Sequence, residues 1–546
     1  MERKHLYSTG LLAVGLTAFI AATPSAQEAA PASPAAAQVL ALTIDEAVRR
    51  AVEHNPDLAR VRLGTDVGIA RISETRSAFA PVFEMMAGRT GAAAPPSSVL
   101  AGDDGIDTDE WFSTAGVRQR LRAGGGTWSV AWDVARTSTN SPLTTFDPSL
   151  QSGLQLAFSQ PLLRNREIDQ ARRQTTLAER DLQSAEYRFQ ESLVQTVAAV
   201  KQAYWTLKAA LANVAVQQRS LALAQDLVRE NRVRVEVGQV PPLDLVQAEA
   251  EVAQRREGAI RAETVARDAE DRLRRLIMDP SDASFWQTRL DPVDDPQGAA
   301  PPDADAAVAR ALGDRHDLAR ARQDLADADT DVRYLDNQRL PDVRLEASYR
   351  GGGAGGTELV RTGPFPGVIT GRLETGFNDV LGQLFTHDYA SWSVGLTMSY
   401  PLGRSFEEAG LARAEIERRQ AALDIASLQL RIAEAVRQAA RQVESTAERV
   451  AAAEAGRELA EERLEVEQRR FDAGLSTTFL VTQAQRDLLQ AEVSLLQATL
   501  DHQSSVVSFE AVQLAPAEPV DAVAARPVVA LPAPRPQGVF RGGGGA

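Results

Sequence analysis

Ala47-Val48-Arg49-Arg50-Ala51, with His54-Asn55-Pro56-Asp57-Leu58-Ala59-Arg60 close behind, returns later in the chain as Ala307-Val308-Ala309-Arg310-Ala311 with Asp314-Arg315-His316-Asp317-Leu318-Ala319-Arg320. The register holds without a gap from Ala47 to Pro81, which falls on Pro341. A chain that repeats itself in one unbroken frame is two copies of one unit. Residues 280–303, rich in Pro, Asp and Ala, read as the linker between a first unit at 42–279 and a second at 304–515.

Each unit opens with a short amphipathic helix. In the first, Thr43 as N-cap and Glu46 three residues on form a capping box, which satisfies two orphan backbone N–H groups. A second helix ends near Pro81 or Pro341, where the ring removes a donor and pushes the preceding residue out of the helical region. The apolar period then changes from 3.6 to 2. Val343, Leu345, Ala347 and Tyr349 alternate with charged and polar residues, as do Trp392, Val394, Leu396 and Met398, and in the first unit Leu154, Leu156 and Phe158. Val82 to Ala87 is a weaker strand. Trp128, Val130, Trp132 and Val134 make an extra one, pairing with Trp111 to Leu121 across Gly124-Gly125-Gly126. Strands thus occupy about 82–160 and about 343–400, closing at Pro161-Leu162 and Pro401-Leu402. Apolar faces opposite small or polar ones are what a lipid-facing barrel with a wet lumen requires.

Beyond the strands come two very long helices, 165–237 and 405–473; the first stretch has neither glycine nor proline, and the second has only Gly410 and Gly456. At 1.5 Å per residue each reaches roughly 100 Å. Phe189, Leu193, Val197, Val200, Tyr204, Leu207, Leu211 and Val214 recur in steps of three and four, as a coiled-coil seam does. Gly238 and Gly474 end the two helices in the left-handed conformation of a C-terminal cap, and antiparallel partners follow at 243–278 and 479–513.

The first 26 residues have the layout of a secretory signal peptide: Arg3 and Lys4, an apolar run from Leu11 to Ala22, then Thr23, Ser25 and Ala26. Residues 27–41 read as a linker, and no later stretch has the roughly 18 apolar residues of a membrane-spanning helix. Cysteine is absent, so disulfides, thiolate metal sites and a lipidated cysteine are excluded. A net charge of −15 without a basic stripe disfavours nucleic acid. Residues 516–546, rich in Pro, Ala and Gly, read as a disordered tail.

The order of these marks resembles the outer-membrane efflux protein family, the TolC-like proteins. The marks are Leu42-Thr43-Ile44-Asp45-Glu46-Ala47 with Asn55-Pro56-Asp57-Leu58, the exits Gln160-Pro161-Leu162 and Tyr400-Pro401-Leu402, and the turns at Gly238 and Gly474, spread over 42–515. The resemblance implies a mainly α protein with transmembrane β: a duplicated fold whose long antiparallel coiled-coil helices form a periplasmic α-barrel and whose strands enter a trimeric outer-membrane β-barrel. It implies a homotrimer in outer-membrane lipid, serving with a periplasmic adaptor and an inner-membrane pump as the passive exit duct of a tripartite efflux or type I secretion system. Unpaired strand edges in lipid cost several kcal/mol per backbone group, which independently calls for closure by copies of the chain. The resemblance makes Val237, Gly238 and Gln239, with Ala473, Gly474 and Leu475, the adaptor-contacting tips, and Pro81, Pro161, Pro341 and Pro401 the helix–strand junctions.

The chain departs from that pattern twice. The strands near 111–135 lack a counterpart in the second unit and either enlarge the barrel or form an extracellular hairpin; conversely, glycine-rich 351–388 reads as a long extracellular loop. At the aperture, TolC has two aspartates after the second turn, where this chain has Leu480 and Gln483; the first-unit positions are Asp244 and Gln247. Asp244 is therefore either one carboxylate of a three-fold ring or a helix-start residue.

Gly351-x-Gly353-x-x-Gly356 matches a dinucleotide loop but has no helix start or acidic partner after it. His54, His316, His387 and His502 show no metal-ligand spacing, and no catalytic cluster or cofactor motif is visible, so the expectation is a non-enzyme. Two alternatives are weaker: a periplasmic adaptor is expected to carry one hairpin flanked by small β-domains, where this chain has two hairpins, and a structural coiled-coil surface protein is expected to gather its strands at one terminus without duplication, where this chain does neither.

Overall fold

The computed structural model describes residues 39–95, 105–296, 298, 300–364, 367–403 and 405–516. The signal peptide, most of the 27–41 linker and the tail beyond 516 lie outside the described residues.

Chain order begins with β1 (Val39–Leu42), α1 (Ile44–His54) and α2 (Pro56–Ser77). Thr43 caps α1 by accepting from the Glu46 amide at 3.3 Å, but the Glu46 carboxylate turns to Arg50 at 2.8 Å, so only half of the expected capping box forms. The guanidinium offers a charge-assisted bond, stronger than a neutral amide can give. Asn55 accepts from the amides of Asp57 and Leu58, with Pro56 preset at the first helical position, and so starts α2.

The duplication is legible in the core. Ala47, Ala51 and Leu58 are fully or nearly fully buried, as are their counterparts Ala307, Ala311 and Leu318 in α5 (Ala304–Asp314) and α6 (His316–Gln338). The two first-helix pairs pack against long helices: α3 (Gln170–Glu236) with its return helix α4 (Pro242–Ile277), and α8 (Phe406–Asp472) with α9 (Thr478–Val512). Both long helices have 67 residues, about 100 Å at 1.5 Å each. In α4 the buried seam includes the alanines Ala248, Ala259, Ala262, Ala266 and Ala269. Small side chains that are also the best helix formers let α4 approach α3 closely without weakening either helix. The first long helix begins at Gln170, not 165, because Asn165 takes a left-handed conformation (φ 66°) and Asp169 caps the helix by accepting from Arg172 N–H at 2.8 Å.

The linkers carry structure too: β1 pairs in parallel with β6 (Arg289–Pro292), which lies inside the 280–303 stretch. Leu42 and Leu290, both buried, explain the pairing. Tyr204 closes the same core. Its hydroxyl lies 2.9 Å from Leu42 O and 3.0 Å from Asp294 Oδ2 and accepts from the Asp294 amide; burial pushes its pKa up to about 12, so it stays a neutral donor.

The remaining strands form one curled sheet. β2 (Val82–Ala94), β3 (Ile106–Arg120), β4 (Thr127–Thr139) and β5 (Phe146–Pro161) follow one another, each antiparallel to the last, and β5 pairs with β7 (Asp342–Thr362). β8 (Val368–Thr375) pairs with the upper part of β7 and β9 (Tyr389–Ser399) with the lower part, so the two share one position in the sheet. Between them α7 (Phe377–Thr386) packs Val380 and Leu384 onto β7. The expected loop at 351–388 is thus largely strand and helix. A Cβ at Gly353 would lie 2.1 Å from the Val380 carbonyl oxygen, and one at Gly355 would lie 2.6 Å from Val380 Cγ2. The glycines are there so that α7 can sit on the strand, not to make a loop flexible.

Candidate functional site

Residues directly opposite in a ladder share a face of the sheet, so the pairings sort every strand residue to one side or the other. One row runs Phe83, Val117, Val130, Leu156, Tyr349 and Trp392 across six adjacent positions. The next row, on the opposite face, runs Val82, Arg118, Ser129, Ala157, Ser348 and Ser393. The alternation continues up the sheet: Glu84, Gly116, Ala131, Gln155, Arg350 and Ser391 share the polar face. There Arg350 pairs with Asp133 at 2.7 Å, tying a second-unit strand to a first-unit one across Gly153. On the apolar face Trp392, Val394, Leu396 and Met398 are all exposed in the single chain. A sheet apolar on one side and polar on the other, in strands of 11 to 21 residues at all six of its positions, is long enough to cross a bilayer as β-structure. No helix among the described residues is long and apolar enough to do so.

The prolines stand at the foot of this sheet. Pro81 precedes β2, Pro341 precedes β7, Pro161 ends β5 and Pro401 follows β9. The Leu162 amide donates to Val343 O at 2.8 Å, so the exit of the first unit and the entry of the second are joined.

At the far end of the helices the two turns have one geometry. Gly238 (φ 76°) and its follower Gln239 donate to Val235 O and Arg234 O; Gly474 (φ 73°) and Leu475 donate to Phe471 O and Arg470 O. This is the Schellman arrangement, in which the left-handed glycine satisfies the last helical carbonyls. A Cβ at either glycine would meet nothing within 4 Å, so the demand for glycine is conformational alone. Around the turns Val233, Val237, Leu243 and Val246 of the first hairpin and Leu475, Phe479 and Leu480 of the second are exposed.

The hairpins are tied together within the chain. Arg234 lies over the Phe471 ring at 4.0 Å and donates to Phe471 O at 3.1 Å. The Thr478 hydroxyl, at the start of α9, lies 3.2 Å from Asn231 Oδ1 and 3.5 Å from Asp244 Oδ2. Asp244 is half-buried in the first turn of α4 and Gln247 is exposed one turn on. On α9, Leu480 is exposed and Gln483 donates to Asp487 at 2.7 Å.

Two turns beyond Asp244 lies a cluster that the sequence reading missed. Glu251, 4% exposed, accepts from Arg255 Nε at 2.7 Å and from Arg486 Nε of α9 at 3.2 Å. Burial alone raises its pKa, but hydrogen bonds and charge from Arg486 and Arg255 outweigh it and hold the carboxyl below its ordinary value. The signal was available: Ala248, Glu251, Arg255, Ala259 and Ala262 fall in steps of three and four, which puts both charges in the buried seam.

Among the described residues no group of His, Cys, Asp or Glu is arranged to hold a metal.

Residues 47–277 and 307–512 match the family model described as outer membrane efflux protein, the two segments falling on the two repeats. No curated protein sequence matches the chain. Among solved structures, the Campylobacter jejuni CmeC outer membrane channel is similar at 15% identity, covering 86% of this chain and 85% of that one with a TM-score of 0.60. A membrane protein from Pseudomonas aeruginosa is similar at 18% identity, with 91% and 98% covered and a TM-score of 0.62. The open state of the Neisseria gonorrhoeae MtrE outer membrane channel is similar at 17% identity, with 86% and 89% covered and a TM-score of 0.58. The fold is therefore the duplicated, TolC-like one.

Proposed function

The chain belongs to the outer membrane efflux protein family, and from that premise we propose that it is the passive exit duct of a tripartite efflux or type I secretion system. The observation that carries this reading is the pair of rows above: an apolar face for lipid and a polar face for water on one sheet, standing on helices of about 100 Å. Three copies close a barrel in the outer membrane, and their helices make a tunnel through the periplasm. A periplasmic adaptor meets the tips at Val237, Gly238, Gln239, Ala473, Gly474 and Leu475, where exposed apolar side chains cluster, and couples the duct to an inner-membrane pump. Asp244, Gln247, Leu480 and Gln483 line the narrow periplasmic opening, with Asp244 supplying one carboxylate per copy. Residues 1–26 act as the export signal, and 42–279 and 304–515 are the two units. The duct has no energy source of its own and moves cargo down its gradient.

The test is reconstitution. Purified in detergent, the protein is expected to have the mass of three chains and, added to planar bilayers, to give discrete ohmic steps. A soluble monomer that inserts nowhere defeats the proposal and favours the adaptor or surface-protein readings.

A further inference from the structure

We propose that β3 and β4 are full staves of the barrel wall, so that each copy brings six strand positions, joins β2 to β9 of its neighbour and, in threes, closes an eighteen-stranded barrel. The proposal rests on the trimer proposed above but not on any adaptor or cargo.

Hydrogen-bond order places the extra strands first. β3 and β4 lie between β2 and β5 and are paired along 13 residues on one side and 11 on the other, which leaves no route by which β2 could pair with β5 directly. Their connecting turn sits at the foot of the sheet: Gly124 O accepts from Gln160 Nε2 at 2.8 Å, and a Cβ at Gly125 would lie 2.6 Å from Asn165 O. A hairpin standing outside the barrel on its extracellular side would have its turn at the other end. The two strands also carry both faces, since Val117 and Val130 belong to the apolar row and Arg118 and Ser129 to the polar one.

Stagger supplies an independent measure. Starting at Val82, the foot of β2, and crossing perpendicular to the strands through Arg118, Ser129, Ala157 and Ser348, the path arrives at Ser393, six residues above the foot of β9 at Ser399. If the feet of neighbouring copies stand level, that climb recurs in each protomer. It amounts to ~20 Å, at ~3.3 Å per residue, over a width of ~28 Å for six spacings of ~4.7 Å, a tilt of ~35°. Closed barrels need ~35–45°. The six-position protomer therefore already has the slope that closure demands.

The two free edges fit one another. Because six is even, β2 and β9 run in opposite directions, and head-to-tail copies meet as antiparallel neighbours. Level feet set Val82 against Ser399 of the next copy and Glu84 against Thr397, and both members of the second pair lie on the polar face. Apolar meets apolar in the same register, Phe83 against Met398. Eighteen strands at this tilt enclose a ring ~33 Å across, a size at which barrels leave an aqueous channel.

The chain lacks cysteine, which makes the test direct. Nitroxides attached at single cysteines replacing Ser129, Val130, Ala131, Val134 and Ala135 in the reconstituted trimer are expected to alternate. Positions 130 and 134 should collide preferentially with oxygen dissolved in lipid, and 129, 131 and 135 with a water-soluble nickel chelate, the ratio differing several-fold. Five positions keep the period readable where one substitution disturbs assembly. In the Glu84→Cys, Thr397→Cys double variant, oxidation should give covalent trimers. A trimer in which all five positions favour the nickel chelate overturns the inference and leaves the channel reading intact, because the hairpin then stands in water. Alternation without the disulfide overturns the proposed joint between copies, and absence of any trimer in native mass measurements overturns the oligomer on which both rest.

Discussion

Glu251 adds a charged tie between two hairpins that also share the apolar cluster of Leu227, Leu464, Phe471 and Val481. It is a buried carboxylate between a buried Arg255 and a half-exposed Arg486 on the other return helix. Removing one member of such a group leaves an uncompensated buried charge, at about 3–5 kcal/mol. Glu251→Gln is therefore expected to loosen the ends of α4 and α9, read as faster amide hydrogen exchange around 251 and 486, with the sheet unaffected. Exchange equal to that of the parent protein would mean that the pair contributes nothing. The same carboxyl makes the tips pH-sensitive. Its folded pKa lies below the unfolded value of about 4.3, so its stabilisation is complete above that value and disappears as the pH falls through the depressed one. Hydrogen exchange at the tips of the parent protein is expected to rise below about pH 4 and that of Glu251→Gln to lack this added dependence. In sequence a glutamate in a charged, alanine-rich helix ordinarily means a solvated face; only the three-and-four spacing from Ala248 through Glu251 and Arg255 to Ala259 marks it as inside.

Elements were legible wherever side chains alternate. The long helices, both left-handed turns and the pairing of β3 with β4 across Gly124 to Gly126 all follow from period and from glycine and proline. Reading failed at Gly351 to Gly356, where five glycines and one alanine leave no apolar or polar face to alternate, and where the absent side chains answer to α7, a neighbour that arrives later in the chain. The same physics gives a prediction. Gly353→Ala sets a Cβ against the Val380 carbonyl, a backbone atom with no rotamer to yield. Overpacking of this kind costs about 1–3 kcal/mol, and α7 is the smaller body to move. Limited proteolysis between 377 and 386 is expected to quicken in the variant while the mass of the assembly stays unchanged. A variant as resistant as the parent would show that α7 does not depend on the close approach. β1 and β6 escaped notice for a different reason, being only four residues each and supported by a parallel partner far away in sequence.

For the whole molecule, strand periodicity says which residues share the apolar face but not which strand lies beside which, so the place of β3 and β4 emerges only from the ladder. That placement bears on where an ion meets resistance. A barrel ~33 Å across offers little resistance, and the proposed narrow passage is at the other end, where the two hairpins are held together by Arg234, Thr478 and Glu251. Ion preference should therefore be set at the tips. Asp244 stands there half-buried; among the described residues its carboxylate meets a 3.5 Å contact from Thr478, too long for a full hydrogen bond, and no cation pairs with it. Asp133 and Arg350, on the polar face of the sheet, neutralise each other at 2.7 Å. Asp244→Asn is accordingly expected to lower cation preference, seen as a smaller reversal potential across a KCl gradient in single-channel recordings, with the difference shrinking as ionic strength rises and screening shortens. Replacing Asp133 and Arg350 together by Asn and Gln should leave the reversal potential where it was. If Asp244→Asn conducts and selects like the parent, the carboxylate does no more than complement the start of α4, an effect of about 0.3–1 kcal/mol. If the barrel pair shifts selectivity instead, the narrow passage lies in the membrane and the eighteen-stranded wall is too wide an estimate.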